Sequence, residues 1–262
     1  MVGTNFSHAP SSTWYKNSKN ITWEYGTKKN NITFYLDNPY PGFNDKSDGK
    51  LKFLWGIESP KFNNSFFHHI KINLDEILDT YEMIFTYDDE LLSLSPKFKF
   101  CPANGFWIEN SKIYEKSKLV SMICSDKTQT ELQRFRVDFA KANIDKIDVY
   151  GHLTKGIQIK EEGIVDYMFS VCIENDIHDT YFTEKILDAF ATGTIPIYKG
   201  TKKITNHFNE NGIIFLDDIK LEDITPELYH SKIEYVKENF EKVQSLYVLE
   251  DWIFEKYLKE YI

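Results

Sequence analysis

A carboxylate and an ammonium stand side by side at Glu184-Lys185, directly after Thr183, a residue type that caps helices. Such a pair can divide a nucleotide between them, ammonium to phosphate and carboxylate to ribose hydroxyls. The alternative is that Glu184 complements the helix dipole and Lys185 is a solvated charge. Upstream, Glu174-Asn175 ends an apolar run. Arg134 offers a planar fork that suits diphosphate oxygens as lysine cannot, or else a surface ion pair with Glu131 or Asp138. Glu58 follows the apolar stretch Phe53-Leu-Trp-Gly-Ile57 and can serve as a general base if Trp55 and Phe62 make its setting partly apolar. Its other reading is a loop carboxylate before Pro60, and His68-His69 is a rival base. Asp88-Asp89 and Asp217-Asp218 lack Asp-x-Asp spacing and read as a helix cap and a turn, so no metal ligands are assigned.

These residues need a frame that brings strand ends and helix starts together. Met168–Ile173 reads as a buried strand. A helix follows from the Thr183 cap through Ile186, Leu187, Ala189 and Phe190, Gly193 stops it, and Thr194–Tyr198 starts the next strand. Around this unit the spacing predicts strands at Leu119–Cys124, Ile147–Tyr150 and Ile213–Leu216, with helices at Thr130–Asn143, Thr201–Phe208, Pro226–Val243 and Leu249–Tyr261. The earlier part reads as strands at Ile21–Tyr25, Asn31–Leu36, Lys52–Ile57 and Glu82–Tyr87, another near Pro96–Pro102, and a helix at Asn73–Thr80. Alternating strands and helices imply a parallel, doubly wound sheet. Ligands bind such sheets outside the carboxyl ends of strands, against helix N-termini.

The segment Tyr167–Gly200 resembles the signature of glycosyltransferase family 10, the α1,3/4-fucosyltransferases. Phe169, Glu174, Asn175, Tyr181, Thr183, Glu184, Lys185, Pro196 and Gly200 match, with no gap between Glu174 and Lys185. Asp176 stands where Ser or Thr is usual, and Thr180 where Asp is usual. Ser125 matches the family's strand-end Ser, Asp126 replaces Asn, and counting back from Asp148-Val-Tyr-Gly151 makes Arg134 the matching Arg. Glu58-Ser-Pro60 resembles the acceptor-side motif with the presumed catalytic Glu. The resemblance covers most of the chain from about Leu51 onward, tight at Tyr167–Gly200, moderate at Leu119–Gly151 and loose before that.

The resemblance implies an α/β fold of the GT-B kind, two Rossmann-like domains facing across a cleft with the first one small. It implies an acceptor-side domain at 1–115, a donor domain at 116–248 and a C-terminal helix at 249–262 packing back on the body. It further implies inverting, metal-independent transfer of L-fucose from GDP-fucose, the GDP-sugar being co-substrate with no further cofactor, to a glycan hydroxyl. Ser125, Arg134, Glu174, Asn175, Tyr181, Thr183, Glu184 and Lys185 would line the donor site, Tyr181 stacking on guanine or ribose unless it packs in the core. Glu58 would be the base. Another GDP-linked deoxy sugar or heptose, or a non-catalytic nucleotide-sugar or glycan-binding protein, stays open.

Composition constrains the partners. A net charge of −9 and a pI near 5.3 speak against a nucleic-acid binder. Cys101, Cys124 and Cys172 are few and odd in number, so a reducing compartment is expected. The N-terminal stretch has no signal-type apolar core and no run approaches a membrane span, so a cytoplasmic protein is expected, with peripheral membrane contact left open.

Overall fold

The computed structural model describes residues 11–13, 15–24, 32–45 and 51–260. They divide into two units, each built on a parallel sheet. The first takes in the described residues of Met1–Gly105, His178–Tyr181 and Val248–Ile262; the second takes in Phe106–Ile177 and Phe182–Tyr247. Two parallel α/β units of this kind are the Rossmann-like pair expected of a GT-B protein.

The first unit runs β1 (Ile32–Leu36), α1 (Tyr40–Asn44), β2 (Leu51–Trp55), α2 (Pro60–Ile72), α3 (Leu74–Thr80), β3 (Met83–Thr86), α4 (Asp89–Leu94) and β4 (Phe98–Phe100). Its four strands pair in chain order, all parallel. The central strands read as unbroken apolar runs because helices cover parallel sheets on both faces. Phe53, Leu54 and Trp55 of β2 are fully buried.

Two expectations for this unit are corrected. Residues 21–24 form no strand, and Tyr25 lies outside the described residues, as does Asn31 before β1. Helix α2, which the sequence reading leaves out, is in place from Pro60 onward. Its Asn63 departs from helical angles, and the Asn63 Oδ1 accepts the Phe66 N–H at 3.3 Å, capping a restarted helix that buries Phe66, Phe67 and Ile70.

The second unit carries β5 (Lys118–Ile123), α5 (Glu131–Ala142), β6 (Asp148–Tyr150), β7 (Tyr167–Ile173), α6 (Glu184–Thr192), β8 (Ile195–Lys199), β9 (Ile214–Phe215), α7 (Pro226–Ser231) and α8 (Ile233–Val243). Its strand order is β6-β5-β7-β8-β9, all parallel, the flavodoxin-like doubly wound arrangement. Order reverses between β5 and β7, so the crevice for a ligand opens beyond Ile123 and Ile173. The core between sheet and helices includes Met122, Phe169, Val171, Ile195 and Ile197.

The helix expected across Pro226–Val243 is two helices broken at Lys232. Thr201–Phe208 holds a 3₁₀ turn, Lys202–Asn206, in place of an α-helix. In the first unit α9 (Leu249–Ile253) passes into a π-helical turn at Phe254–Leu258, and Tyr261 lies outside the described residues. Among the described residues, no helix is long and apolar enough to cross a membrane.

Candidate functional site

Strand β7 ends at Ile173, so Glu174 and Asn175 leave the sheet at the point where strand order reverses. Glu174 is fully buried, its Oε1 accepting the Thr183 N–H at 2.9 Å and its Oε2 the Thr183 hydroxyl at 2.7 Å. The carboxylate thus ties the strand end to the helix start. Gly200 lies against it, and a Cβ there would fall 2.9 Å from Glu174 Cγ and 2.2 Å from the Tyr198 hydroxyl oxygen.

Thr183 caps α6, its Oγ1 accepting from the Lys185 N–H at 3.5 Å and from Lys185 Nζ at 2.9 Å. Lys185 Nζ also lies 3.3 Å from Glu184 Oε1 and 3.5 Å from Glu174 Oε2. One ammonium therefore serves two carboxylates. Helix α6 stops at Gly193, whose φ of 71° is the left-handed conformation that favours glycine; its N–H bonds Ala189 and Phe190 carbonyls.

The network continues along the helix. Asp188 shares a face with Glu184, four residues on, where two carboxylates repel. Lys160, on a 3₁₀ turn at Lys160–Gly163, reaches both, at 2.6 Å from Asp188 Oδ2 and 3.6 Å from Glu184 Oε1. Its Nζ sits 4.5 Å over the Trp107 ring, and the Trp107 backbone N–H donates to Asp188 Oδ1 at 2.6 Å. Burial penalises the Glu184 carboxylate, but Lys185 and Lys160 outweigh it and hold the group at about 2. Burial dominates at Asp188 and carries it to about 6 despite Lys160. Burial likewise raises Glu174, opposed by Lys185 and the Thr183 donors.

Beyond β5, Ser125 meets Arg136 of α5. The Arg136 guanidinium donates to Ser125 Oγ at 3.3 Å, to the Ile173 carbonyl at 3.2 Å and to Asn175 Oδ1 at 3.1 Å. Arg136 is 4% exposed, and its Nε is buried with no hydrogen-bond partner among the described residues. Thr130, the cap of α5, donates its hydroxyl to the Asn175 carbonyl at 2.7 Å. Arg134 lies on another face of α5, exposed, with Nη1 3.1 Å from the Thr128 carbonyl.

Of the residues read from sequence, Ser125, Glu174, Asn175, Thr183, Glu184 and Lys185 collect at the ends of β5 and β7 and the start of α6. Arg134 points to its own loop. Tyr181 belongs to the first unit, 2% exposed, its ring 5.1 Å from Tyr87 in the core.

Glu58, half-buried, follows β2 in that unit. Asp37 Oδ1 accepts the N–H of Ile57 at 2.7 Å and of Glu58 at 3.2 Å, and the Glu58 carbonyl accepts the Tyr87 hydroxyl at 2.6 Å. The backbone at Glu58 is therefore fixed. Trp55 is buried and Phe62 exposed. His68 is exposed and His69 packs on Tyr40 along α2.

Asp88 caps α4 through the Leu91 N–H at 2.7 Å. His178 Nε2 approaches Asp88 Oδ2 to 2.7 Å and Asp179 Oδ2 to 3.5 Å, and burial of Asp88 is outweighed by His178, so its carboxyl sits below the ordinary range. Asp88, His178 and Asp179 bring ligand-type atoms within 4.8 Å of one another. Asp179 Oδ2 also accepts the Asp89 N–H at 3.1 Å, so hydrogen bonds already engage all three side chains. Asp217 pairs with Lys199 at 2.6 Å on the surface.

Lys160, Asp188 and His178 escape the sequence reading, which takes Arg134 of α5 in preference to Arg136. Gln133, Arg136, Val137 and Ala140 are the buried face of α5, and that spacing marks Arg136 as inward-facing. For Lys160 no local signal exists, because its partners come from a distant helix.

The protein family described as glycosyltransferase family 10 (fucosyltransferase), C-terminal part, matches residues 113–246. The chain is 35% identical over 81 residues to the α-(1,3)-fucosyltransferase FucT of Helicobacter pylori, a match covering 31% of this chain and 16% of that protein. It is 30% identical over 114 residues to the putative fucosyltransferase R654 of Acanthamoeba polyphaga mimivirus, covering 37% of this chain and 19% of that one. The matches thus span less than a fifth of either relative. A crystal structure of an α1,3-fucosyltransferase superposes with a TM-score of 0.50 at 18% identity, covering 82% of this chain and 69% of the other, which is a likeness of fold.

Proposed function

Because this chain belongs to glycosyltransferase family 10, the fucosyltransferases, we propose that it moves L-fucose from GDP-fucose to a hydroxyl of a glycan acceptor. The observation that carries this reading is the Glu174–Lys185–Glu184 ion-pair chain at the start of α6. In the reading, Lys185 turns to the diphosphate and Glu184 accepts from the ribose hydroxyls. Ser125 and Asn175 border the crevice, oriented by Arg136; in this reading Arg134 leaves the Thr128 carbonyl to reach the phosphates. Thr183 and Glu174 fix the helix start. Tyr181 braces the signature loop from within its core in this reading.

Transfer is inverting and metal-independent in this proposal. Glu58 takes the acceptor proton as the hydroxyl attacks the anomeric carbon, and cationic side chains stabilise the departing diphosphate. No further cofactor is invoked. Three buried, unpaired cysteines suit a reducing compartment, so the reaction is assigned to the cytoplasm, free or peripheral at a membrane.

The test is a donor screen, offering GDP- and UDP-sugars with a glycan acceptor panel and measuring nucleotide release and product linkage. GDP-fucose should be turned over and the product should carry α-fucose. Turnover of another GDP-sugar in preference to GDP-fucose would replace the donor. GDP binding without transfer across the panel would replace the enzyme with a binding protein.

A further inference from the structure

Three carboxylates, Glu174, Glu184 and Asp188, face two ammonium groups, Lys160 and Lys185, around the first turns of α6. The charges are nearly enclosed: side-chain exposure is 13% for Glu184, 3% for Asp188 and nil for Glu174. An enclosed carboxylate keeps its charge only with a partner. As the structure stands, Lys185 supplies one at 3.3 Å and Lys160 a second at 3.6 Å.

The two lysines are held differently. Lys185 Nζ is held by Thr183, Glu184 and Glu174, all at the entrance of the helix, and it is the cation the donor reading sends to the phosphates. When it turns, Glu174 keeps the two Thr183 donors. Glu184 keeps Lys160. That ammonium cannot follow Lys185, because Asp188 and the Trp107 ring pin it from below, and the Trp107 N–H in turn pins Asp188. The pull of Lys160 and Lys185 on Glu184, against burial, agrees with this division of work.

Resting on the donor reading above, we infer that Lys160 is a positioning residue for the nucleotide: it keeps Glu184 ionised and aimed once Lys185 engages the diphosphate, and so sets discrimination for ribose hydroxyls. Lys160 touches no part of the nucleotide itself. Its effect appears only on ligands that carry the hydroxyls Glu184 would bind.

Calorimetry with GDP and with 2′,3′-dideoxy-GDP separates this from a merely structural role. The wild type should prefer GDP by about 10–100-fold, the worth of a hydrogen bond to a charged group. Lys160→Met should collapse that preference to about threefold or less while leaving dideoxy-GDP affinity nearly unchanged, and Lys160→Arg should restore most of it. Should Lys160→Met misfold, the double variant Lys160→Met/Asp188→Leu removes the buried pair together, a replacement cores often tolerate, and it should show the same collapse. A variant that keeps the wild-type preference overturns the inference, as does one that loses affinity equally for both ligands. A wild type that fails to bind GDP, or binds both ligands alike, overturns the donor reading itself.

Discussion

The Arg136 guanidinium meets the Asn175 side chain at 3.1 Å, so the residue that leaves β7 is held by the helix that follows β5. The same guanidinium bonds Ser125 beyond β5 and the Ile173 carbonyl of β7. One side chain therefore ties together the two strand ends between which sheet order reverses.

Arg136→Lys should destabilise the protein by about 1–3 kcal/mol, since a lysine cannot serve three acceptors in a planar fork and leaves buried groups unsatisfied. Arg134→Lys, on the exposed face, should leave the unfolding midpoint within about 0.5 kcal/mol of wild type. Denaturant titrations of both variants check this. Equal effects would mean that the inward-facing arginine is not the structural one.

Lys185→Ala should weaken GDP binding by about 10–100-fold, because a charge-assisted hydrogen bond to phosphate is lost. Isothermal calorimetry reads it directly. Unchanged affinity would remove Lys185 from the nucleotide site.

Glu58→Gln should lower the rate of sugar transfer by about 10²–10⁴-fold, the usual yield of general base catalysis, with GDP affinity intact. The amide is isosteric, and the backbone hydrogen bonds of Asp37 and Tyr87 that fix this position do not involve the Glu58 side chain. Transfer at the wild-type rate would return Glu58 to its loop role and bring His68 and His69 forward.

Turnover should survive EDTA. If activity disappears with chelator and returns with Mn²⁺ or Mg²⁺, the metal-independent mechanism is wrong, and Asp88, His178 and Asp179 are the first ligands to replace.

The Asp188 carboxyl should titrate near pH 6 by carbon-detected NMR, and Lys160→Met should move that midpoint higher, because burial then acts with less opposition. Its proton is held more tightly in the folded chain than in an exposed aspartate near 3.8. The resulting stabilisation is full below about pH 4 and lost as pH rises through about 6. Between pH 4 and 7 the wild type should therefore lose stability relative to Asp188→Asn, by at most about 3 kcal/mol. A difference that stays flat across that window would mean Asp188 is not perturbed.

The strand–loop–helix–strand unit around α6 was legible because each boundary is written locally: an apolar run, a capping threonine, a glycine past the last turn. So was the Asp88 cap. Helix α2 was hidden because Asn63, Asn64 and Ser65 are weak helix formers that interrupt its apolar spacing, while the structure uses Asn63 to restart the helix. The carboxylate and ammonium at Glu184 and Lys185 could be read, but the partners of that pair could not. Lys160 joins α6 across the fold, and His178 meets Asp88 ninety positions away. Contacts of that range leave no periodicity behind.

The signature peptide is threaded through both units: His178–Tyr181 counts with the first, while the residues on either side, to Ile177 and from Phe182, count with the second. No single cut in the chain therefore separates them. A clone spanning only residues 113–246, the stretch the family match covers, would carry Tyr181 without Tyr87 and His178 without Asp88. Such a fragment would leave an aromatic ring and an imidazole stripped of their packing in the middle of its signature loop. Library designs and domain swaps in this protein should accordingly exchange the loop together with Tyr87, Asp88 and helix α4, treating distant stretches of chain as one heritable module.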